Sequence, residues 1–114
     1  QAVFKTLVTQ GKSRAFYVFV IPVSATLNLK RAANACGEKS IEMIKSKELL
    51  PLTGYVHGGC SPIGMKKSFK TVIHQSAKEW DSIIFSAGKI GYQVEIAVDD
   101  IEKVIPFTFA DVTE

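Results

Sequence analysis

The sequence predicts an α+β protein whose strands form a barrel-like sheet. The chain of 114 residues contains many short β-rich runs and few helical stretches, which is the basis of this fold class. Hydrophobic residues make up 46% of it, so one core can form without disulfide or metal support. It has no repeats, low-complexity tracts or linkers. We therefore expect residues 1–114 to form a single domain.

The first predicted element is a hairpin. Residues 3–9 and 14–21 are rich in β-branched and aromatic side chains, and "QGKS" between them is typical of a turn. The run "AFYVFVI" in the second strand predicts burial on both faces of the sheet. Because the chain opens at Gln1 directly on the first strand, we expect a further segment to precede it.

A helix is predicted next. Its apolar stripe follows helical spacing and consists of Leu29, Ala32, Ala33 and Cys36. Asn28 is suited to the N-cap, because its side chain can accept a hydrogen bond from a free backbone N–H. Gly37 is suited to end the helix, because it tolerates the left-handed conformation.

The remaining predicted elements are short. We expect strands near residues 40–44, 71–74, 82–86, 93–98 and 107–112, and short helices near residues 46–50, 76–81 and 99–104. The segment after Val56 is too rich in glycine and proline for regular structure.

The lengths of the apolar runs and the number of cysteines exclude some classes of protein. No apolar run approaches the ~20 residues that a membrane span needs, so we expect no membrane partner. Cys36 and Cys60 are too few for a disulfide scaffold, which indicates free thiols in a reducing cytosol and a cytoplasmic protein.

Charge is divided unevenly along the chain. Residues 1–75 contain eleven Lys and Arg against three acids, a net +8, and residues 76–114 contain three against eight, a net −5. This division favours a polyanionic partner for the first part. A solvated lysine face would explain it equally well.

Two glycine-bearing segments could bind a ligand. "GYVHGGCSPIGMKK" at residues 54–67 holds four of the eight glycines, and "SAGKIG" at residues 86–91 follows a predicted strand. Glycines let a ligand approach the main chain closely, so the two segments predict the walls of one polar pocket. Tight structural turns would explain them equally well.

Other chemistries at the first segment are disfavoured. A serine nucleophile at Ser61 would need the backbone N–H of the next residue, and Pro62 has none. His57 and Cys60, with Cys36 and His74, do not match a zinc spacing. The sequence therefore predicts neither a metal site nor a cofactor.

Lys30 is unusual for its position. It falls in the first turn of its helix, where the dipole disfavours a cation by ~0.3–1 kcal/mol. Helical spacing places it beside the apolar stripe, whereas Arg31 points away from it. Lys30 can therefore reach inward, or it can extend along the rim of the apolar surface towards solvent.

Four segments together resemble a known family. "VFKTLV", "LNLKRAANACG", "TGYVHGGCSPIGMKK" and "IIFSAGKIGYQVEI" occur in this order, and the chain resembles the YbaK/EbsC family over essentially its whole length. Members of that family are similar to the editing domain of bacterial prolyl-tRNA synthetases. The resemblance implies a mixed, barrel-like sheet with short flanking helices.

The resemblance also implies an activity. It implies a trans-editing deacylase that hydrolyses a mischarged aminoacyl ester, Cys-tRNA(Pro) or Cys-tRNA(Cys) in the first instance, with aminoacyl-tRNA and prolyl-tRNA synthetase as partners. In the Cys-specific branch the thiol of the substrate attacks its own ester, which fits the lack of a catalytic triad. The alternative is a non-catalytic protein of this fold that binds aminoacyl-tRNA or a nucleotide, or has a regulatory role.

Site residues follow from the resemblance and the patterns above. The catalytic-site lysine of the family corresponds to Lys30, which we expect to be partly buried and to face the pocket. The expected substrate contacts are Phe4, Thr6, His57, Gly58, Gly59, Ser61, Pro62, Gly64, Ser86 and Gly88. The expected tRNA contacts are Arg31, Lys66, Lys67 and Lys70. One departure is Gln93, which stands where many relatives have Asp.

Overall fold

The computed structural model describes residues 2–114, and its strands form one mixed five-stranded sheet and one two-stranded sheet. In chain order the elements are β1 (Phe4–Gly11), β2 (Phe16–Pro22), α1 (Leu29–Cys36), β3 (Ile41–Met43), α2 (Ser46–Thr53), β4 (Lys70–His74), a 3-10 helix (Gln75–Glu79), β5 (Ser82–Ser86), β6 (Gln93–Ala97), α3 (Val98–Ile101) and β7 (Thr108–Ala110).

The larger sheet has the strand order β3-β1-β2-β4-β7. β1 is antiparallel to β2 and β3, whereas β4 is parallel to β2 and β7. The prediction of a mixed α+β fold is therefore confirmed. The sheet is not closed within residues 2–114, because the edge strands β3 and β7 have three residues each and do not pair with each other, so the expected term barrel-like describes it only loosely.

β2 lies at the centre of this sheet, and its residues Val18–Ile21 are fully buried. Alternate side chains of a strand point to opposite faces. Phe19 and Ile21 accordingly pack in one hydrophobic cluster, and Val18 and Val20 pack in others. The prediction that this strand is buried on both faces is confirmed.

α1 has both of the predicted caps. The Asn28 side-chain oxygen accepts a hydrogen bond from the backbone N–H of Arg31 at 3.0 Å. Gly37 ends the helix in the left-handed conformation, with φ 69°. Ala32 and Ala33 pack against the Phe19 and Ile21 side of the sheet, so α1 covers that face.

The other helices differ slightly from the predicted ranges. α2 is three residues longer and ends at Gly54, again with positive φ of 84°. The helix expected at residues 76–81 is the 3-10 helix, and α3 starts at Val98 and is only four residues long. None of the helices within residues 2–114 combines the length and apolar character that crossing a membrane requires.

One edge of β1 is only partly covered, and this positions the site. β3 pairs with the last three residues of the strand, Thr9–Gly11. At the other end, β5 approaches through a bridge between Val3 and Ile84, with the Ile84 N–H donating to the Ala2 carbonyl at 2.8 Å. Between these two contacts the edge of β1 has no neighbouring strand, which leaves a gap.

Candidate functional site

A cavity of about 300 Å³ fills the gap beside β1. Its walls come from β1, from the connection between β3 and α2, from the glycine-rich segment that follows α2, and from the facing ends of β5 and β6. The lining residues are Val3, Phe4, Lys5, Thr6, Leu7, Val8, Val23, Met43, Ile44, Lys45, Ser46, Leu49, His57, Gly58, Cys60, Ser86 and Gln93.

The floor and the rim of the cavity differ in polarity. Val8, Leu49 and Cys60 are buried members of one hydrophobic cluster and form an apolar floor. Lys45 and His57 are exposed at the rim. None of the described residues that line the cavity is Asp or Glu. The cavity can therefore accept a ligand with a small apolar group at one end and negative charge at the other.

Thr6 presents an unused polar atom here. Its hydroxyl oxygen is buried and has no hydrogen-bond partner among residues 2–114. Buried polar atoms are nearly always paired, because leaving one unpaired costs about 1–3 kcal/mol. Thr6 lines the cavity, so a polar group of a bound ligand is the natural partner for this hydroxyl.

The structure brings the two glycine-bearing segments together in one wall. The Ser86 hydroxyl donates to the Gly58 carbonyl at 3.3 Å. Gly59 lies so close to the β5–β6 turn that an added Cβ would stand 3.1 Å from the backbone nitrogen of Ile90. Glycine permits this approach of two main chains without a shift of either backbone.

Tyr55 supports this wall of the cavity, and the sequence did not predict that role. Its ring lies against Gly88, where an added Cβ would be 3.0 Å from Cε1. Its hydroxyl donates to the Ile63 carbonyl at 2.5 Å and also borders Gly64. Tyr55 therefore links both glycine-bearing segments.

The predicted substrate contacts divide into two groups. Phe4, Thr6, His57, Gly58 and Ser86 line the cavity. Gly59 and Gly88 do not line the cavity. They make the contacts with Ile90 and Tyr55 that are described above.

Ser61, Pro62 and Gly64 were expected to contact substrate, and they do not line this cavity. Ser61 is buried, and its hydroxyl oxygen accepts a hydrogen bond from the Ile63 N–H at 3.2 Å, so it stabilises a turn. Pro62 and Gly64 border a second, smaller cavity of about 150 Å³ together with Lys67.

Lys30 is not at the cavity, and the expectation that it is partly buried and faces the pocket is wrong. It is exposed on α1, and α1 packs on the Phe19 face of the sheet. The cavity floor packs with Val18, which points to the opposite face because it precedes Phe19 in the strand. A helix pattern alone does not specify on which face of the sheet the helix lies.

The four expected tRNA contacts belong to three parts of the fold. Arg31 Nη1 donates to Asp111 Oδ2 at 3.1 Å and to the Thr113 carbonyl at 3.0 Å, which ties α1 to the end of the chain. Lys66 and Lys67 are exposed after the glycine-rich segment. Lys70 opens β4 and lies near Cys36 of α1.

Two lysines at the cavity were missed. Lys5 is partly buried between Phe4 and Thr6, and Lys45 precedes α2. A signal for Lys5 existed, because it lies between two residues already assigned to the pocket in "VFKTLV". Lys45 has no comparable signal, because only the fold brings the start of α2 to β1.

Cys60 was expected to be a free thiol without a role in the pocket, yet it belongs to the cavity floor. Burial raises the pKa of its thiol to about 11, so the thiol is protonated near neutral pH and is a poor nucleophile. Within residues 2–114 no three His, Cys, Asp or Glu side chains are grouped to hold a metal. The groups available for chemistry at this cavity are therefore its lysines, His57, its hydroxyls and its backbone, together with groups of the ligand.

Comparison with known proteins gives the family. The model of the aminoacyl-tRNA editing domain matches residues 1–104. A protein of Enterococcus faecalis, strain ATCC 700802 / V583, is 47% identical over 111 residues, which are 97% of this chain and 68% of that protein. That relative is named as a candidate Cys-tRNA(Pro)/Cys-tRNA(Cys) deacylase, EbsC.

Solved structures share the fold. A scaffold protein used for epitope grafting by computational design superposes with a TM-score of 0.91 at 18% identity, covering 99% of this chain and 72% of that one. A candidate trans-editing enzyme for prolyl-tRNA synthetase superposes with a TM-score of 0.87 at 20% identity, covering 99% and 71%. By sequence and by fold, the chain belongs to the aminoacyl-tRNA editing domain family.

Proposed function

We propose that this protein is a trans-editing deacylase that hydrolyses the ester of a mischarged aminoacyl-tRNA, with Cys-tRNA(Pro) or Cys-tRNA(Cys) as substrate. The observation that carries the proposal is the cavity, which joins an apolar floor to a cationic rim without a carboxylate. A small side chain such as that of cysteine suits the floor, and the anionic tRNA suits the rim. The name of the 47% identical relative supports the same substrates.

The reaction does not require a nucleophile from the protein. The cysteinyl thiol of the substrate attacks its own carbonyl carbon, so that a C–S bond forms and the C–O bond to the ribose breaks. The thiol proton passes to the departing ribose oxygen, and water then opens the resulting thiolactone. The cavity contributes by holding the thiol and the ester in contact, which alone can supply several kcal/mol.

Lys5 is the residue to which we assign electrostatic stabilisation. It is partly buried in the cavity wall and next to Thr6, whose free hydroxyl can hold the amino or carbonyl group of the substrate. A cation close to the ester stabilises the negative charge that develops on the carbonyl oxygen. Lys30, for which we first expected this role, is exposed on α1 and is not among the residues that line the cavity.

The test is a single-turnover comparison of lysine variants. We expect Lys5→Ala to slow deacylation of Cys-tRNA(Pro) by about 10²–10³-fold, the usual loss for one such contact. Lys30→Ala is the matched control, because it removes an exposed lysine that does not line the cavity, and we expect it to keep the wild-type rate. Equal losses in both variants, or a wild-type rate for Lys5→Ala, would show that Lys5 is not the stabilising residue.

The substrate is tested separately. Wild-type protein is incubated with Cys-tRNA(Pro), Cys-tRNA(Cys) and Ala-tRNA(Pro), with and without prolyl-tRNA synthetase, which we propose as a partner. We expect cysteinyl esters to be lost faster than the alanyl ester, because alanine has no thiol to attack the carbonyl. If none of the three esters is lost above background, the protein binds its ligand without turnover.

A further inference from the structure

Two apolar side chains project from the turn between β5 and β6. Ile90 is 67% exposed and Tyr92 is 65% exposed, more than any other large apolar side chain in residues 2–114. Exposing such groups is unfavourable, and neighbouring exposed apolar groups commonly mark a binding surface. The deacylase chemistry described above does not use either of them.

This turn forms part of the rim of the cavity. Ile90 Cγ1 lies 3.6 Å from where a Cβ of Gly58 would be, and Gly58 lines the cavity. Gln93, the residue after Tyr92, also lines it. The turn is held in place by two backbone hydrogen bonds, from Ala87 N–H to the Tyr92 carbonyl at 2.9 Å and from Tyr92 N–H to the Lys89 carbonyl at 3.1 Å.

Charge around the turn identifies the kind of ligand. Lys89 is exposed within the turn, and Lys45 is exposed at the cavity rim. A ligand that leaves the cavity over this turn can contact the Lys89 cation and the apolar side chains of Ile90 and Tyr92. Single-stranded nucleic acid has the matching chemistry, because its phosphates are anionic and its bases stack on aromatic and apolar side chains.

We propose that Ile90 and Tyr92 form a stacking platform for the unpaired nucleotides next to the aminoacylated end of tRNA, with Lys89 meeting a phosphate. The proposal rests on the proposed function, since it assumes that the aminoacyl ester occupies the cavity. The platform then orients the strand, so that the terminal ribose enters the gap beside β1. Ile90 and Tyr92 are positioning residues and take no part in the bond changes.

The first test measures binding without chemistry. A fluorescently labelled, uncharged RNA oligonucleotide that ends in CCA is titrated by anisotropy against wild-type protein and variants. We expect Tyr92→Ser and Ile90→Ser each to weaken binding about 10-fold, the usual loss for one stacked base, and Tyr92→Phe to retain affinity. Trp80→Ser is the matched control, because Trp80 is also exposed, at 48%, but precedes the other end of β5.

The salt dependence of RNA binding distinguishes a stacked base from a phosphate contact. We expect the slope of log affinity against log salt to be unchanged in Tyr92→Ser and to fall by about 1 in Lys89→Ala. A merely structural role of Tyr92 would instead lower the melting temperature, which we expect to stay at the wild-type value.

The outcomes for the platform and for the deacylase are distinct. If Tyr92→Ser binds the oligonucleotide as tightly as wild type, or if Trp80→Ser loses as much affinity, the platform is refuted, even when wild type hydrolyses Cys-tRNA. If the RNA affinity depends on Tyr92 but wild type hydrolyses no ester, the platform is supported and the deacylase is refuted.

Discussion

Cys60 illustrates how one residue constrains the chemistry of the cavity. It is 7% exposed and shares the floor with Val8 and Leu49. Burial disfavours the thiolate, which is why the pKa of the thiol rises to about 11. The neutral Cys60 thiol carries no charge that would repel a substrate thiol bound beside it. It also does not attack the ester carbon in place of the substrate thiol.

The raised pKa predicts slow alkylation of Cys60. In a Cys36→Ser background, we expect iodoacetamide to modify Cys60 roughly 100-fold more slowly at pH 7.5 than an unperturbed thiol, because two pKa units separate them. Since only the thiolate reacts, the rate should rise about tenfold per pH unit as pH increases towards 11. A rate that levels off by pH 9 would contradict the assignment, and unfolded protein serves as the fast-reacting control.

At the scale of elements, the wall of the site depends on two loops that touch through their backbones. The glycine-rich segment follows α2, and the other loop is the β5–β6 turn, so they are distant in sequence. Gly59 is one point at which the two backbones approach closely. Neither loop has helix or strand structure where the two touch. The contact itself therefore determines how each loop lies relative to the other.

Gly59→Ala tests this contact. The new Cβ would stand 3.1 Å from Ile90 N and 3.2 Å from the carbonyl carbon of Lys89, so the backbone of the turn must shift. We expect a loss of about 1–3 kcal/mol in the free energy of unfolding, as for an overpacked core site, and a matching loss of deacylation.

Gly37→Ala is the control for Gly59→Ala. Gly37 has φ 69° and no atom within 4 Å of its Cβ position, so alanine there is strained by about 1–2 kcal/mol without crowding the wall. We expect it to lose comparable stability and to keep the wild-type rate of deacylation. Equal losses of activity in both variants would mean that the wall contact has no specific role.

At the scale of the whole molecule, the uneven distribution of charge along the chain corresponds to the residues that line the cavity. The net +8 of residues 1–75 includes Lys5 and Lys45 at the cavity and Lys66 and Lys67 after the glycine-rich segment. The acids concentrate in residues 76–114, and none of the described residues that line the cavity is acidic. This arrangement favours approach of a polyanion to the cavity side of the sheet.

Affinity for tRNA should therefore fall steeply with salt. We expect Lys66→Ala and Lys67→Ala each to weaken binding and to reduce the slope of log affinity against log salt by about 1, because each removes one phosphate contact. Lys103→Ala is the control, since Lys103 is paired with Asp100 at 2.8 Å. A flat salt response of the wild type would refute the electrostatic interpretation.

The sequence by itself determined the local elements of this protein. The caps of α1 at Asn28 and Gly37 and the doubly buried β2 could be predicted because a cap or a hydrophobic pattern depends on residues adjacent in the chain. The resemblance in four segments also predicted the family, and five of the ten expected substrate contacts line the cavity. These features share one property, which is that their signals are local.

Tertiary structure alone decided which residues meet. Lys30 and Lys5 both lie in segments that carry the resemblance, but only Lys5 lines the cavity at the edge of β1, whereas Lys30 is exposed on α1. Lys45 and Tyr55 reach the site only because β3 leaves part of the edge of β1 unpaired and α2 folds back beside it. The physical reason is that strand pairing and packing join positions far apart in sequence, and no local pattern specifies the partner or the face.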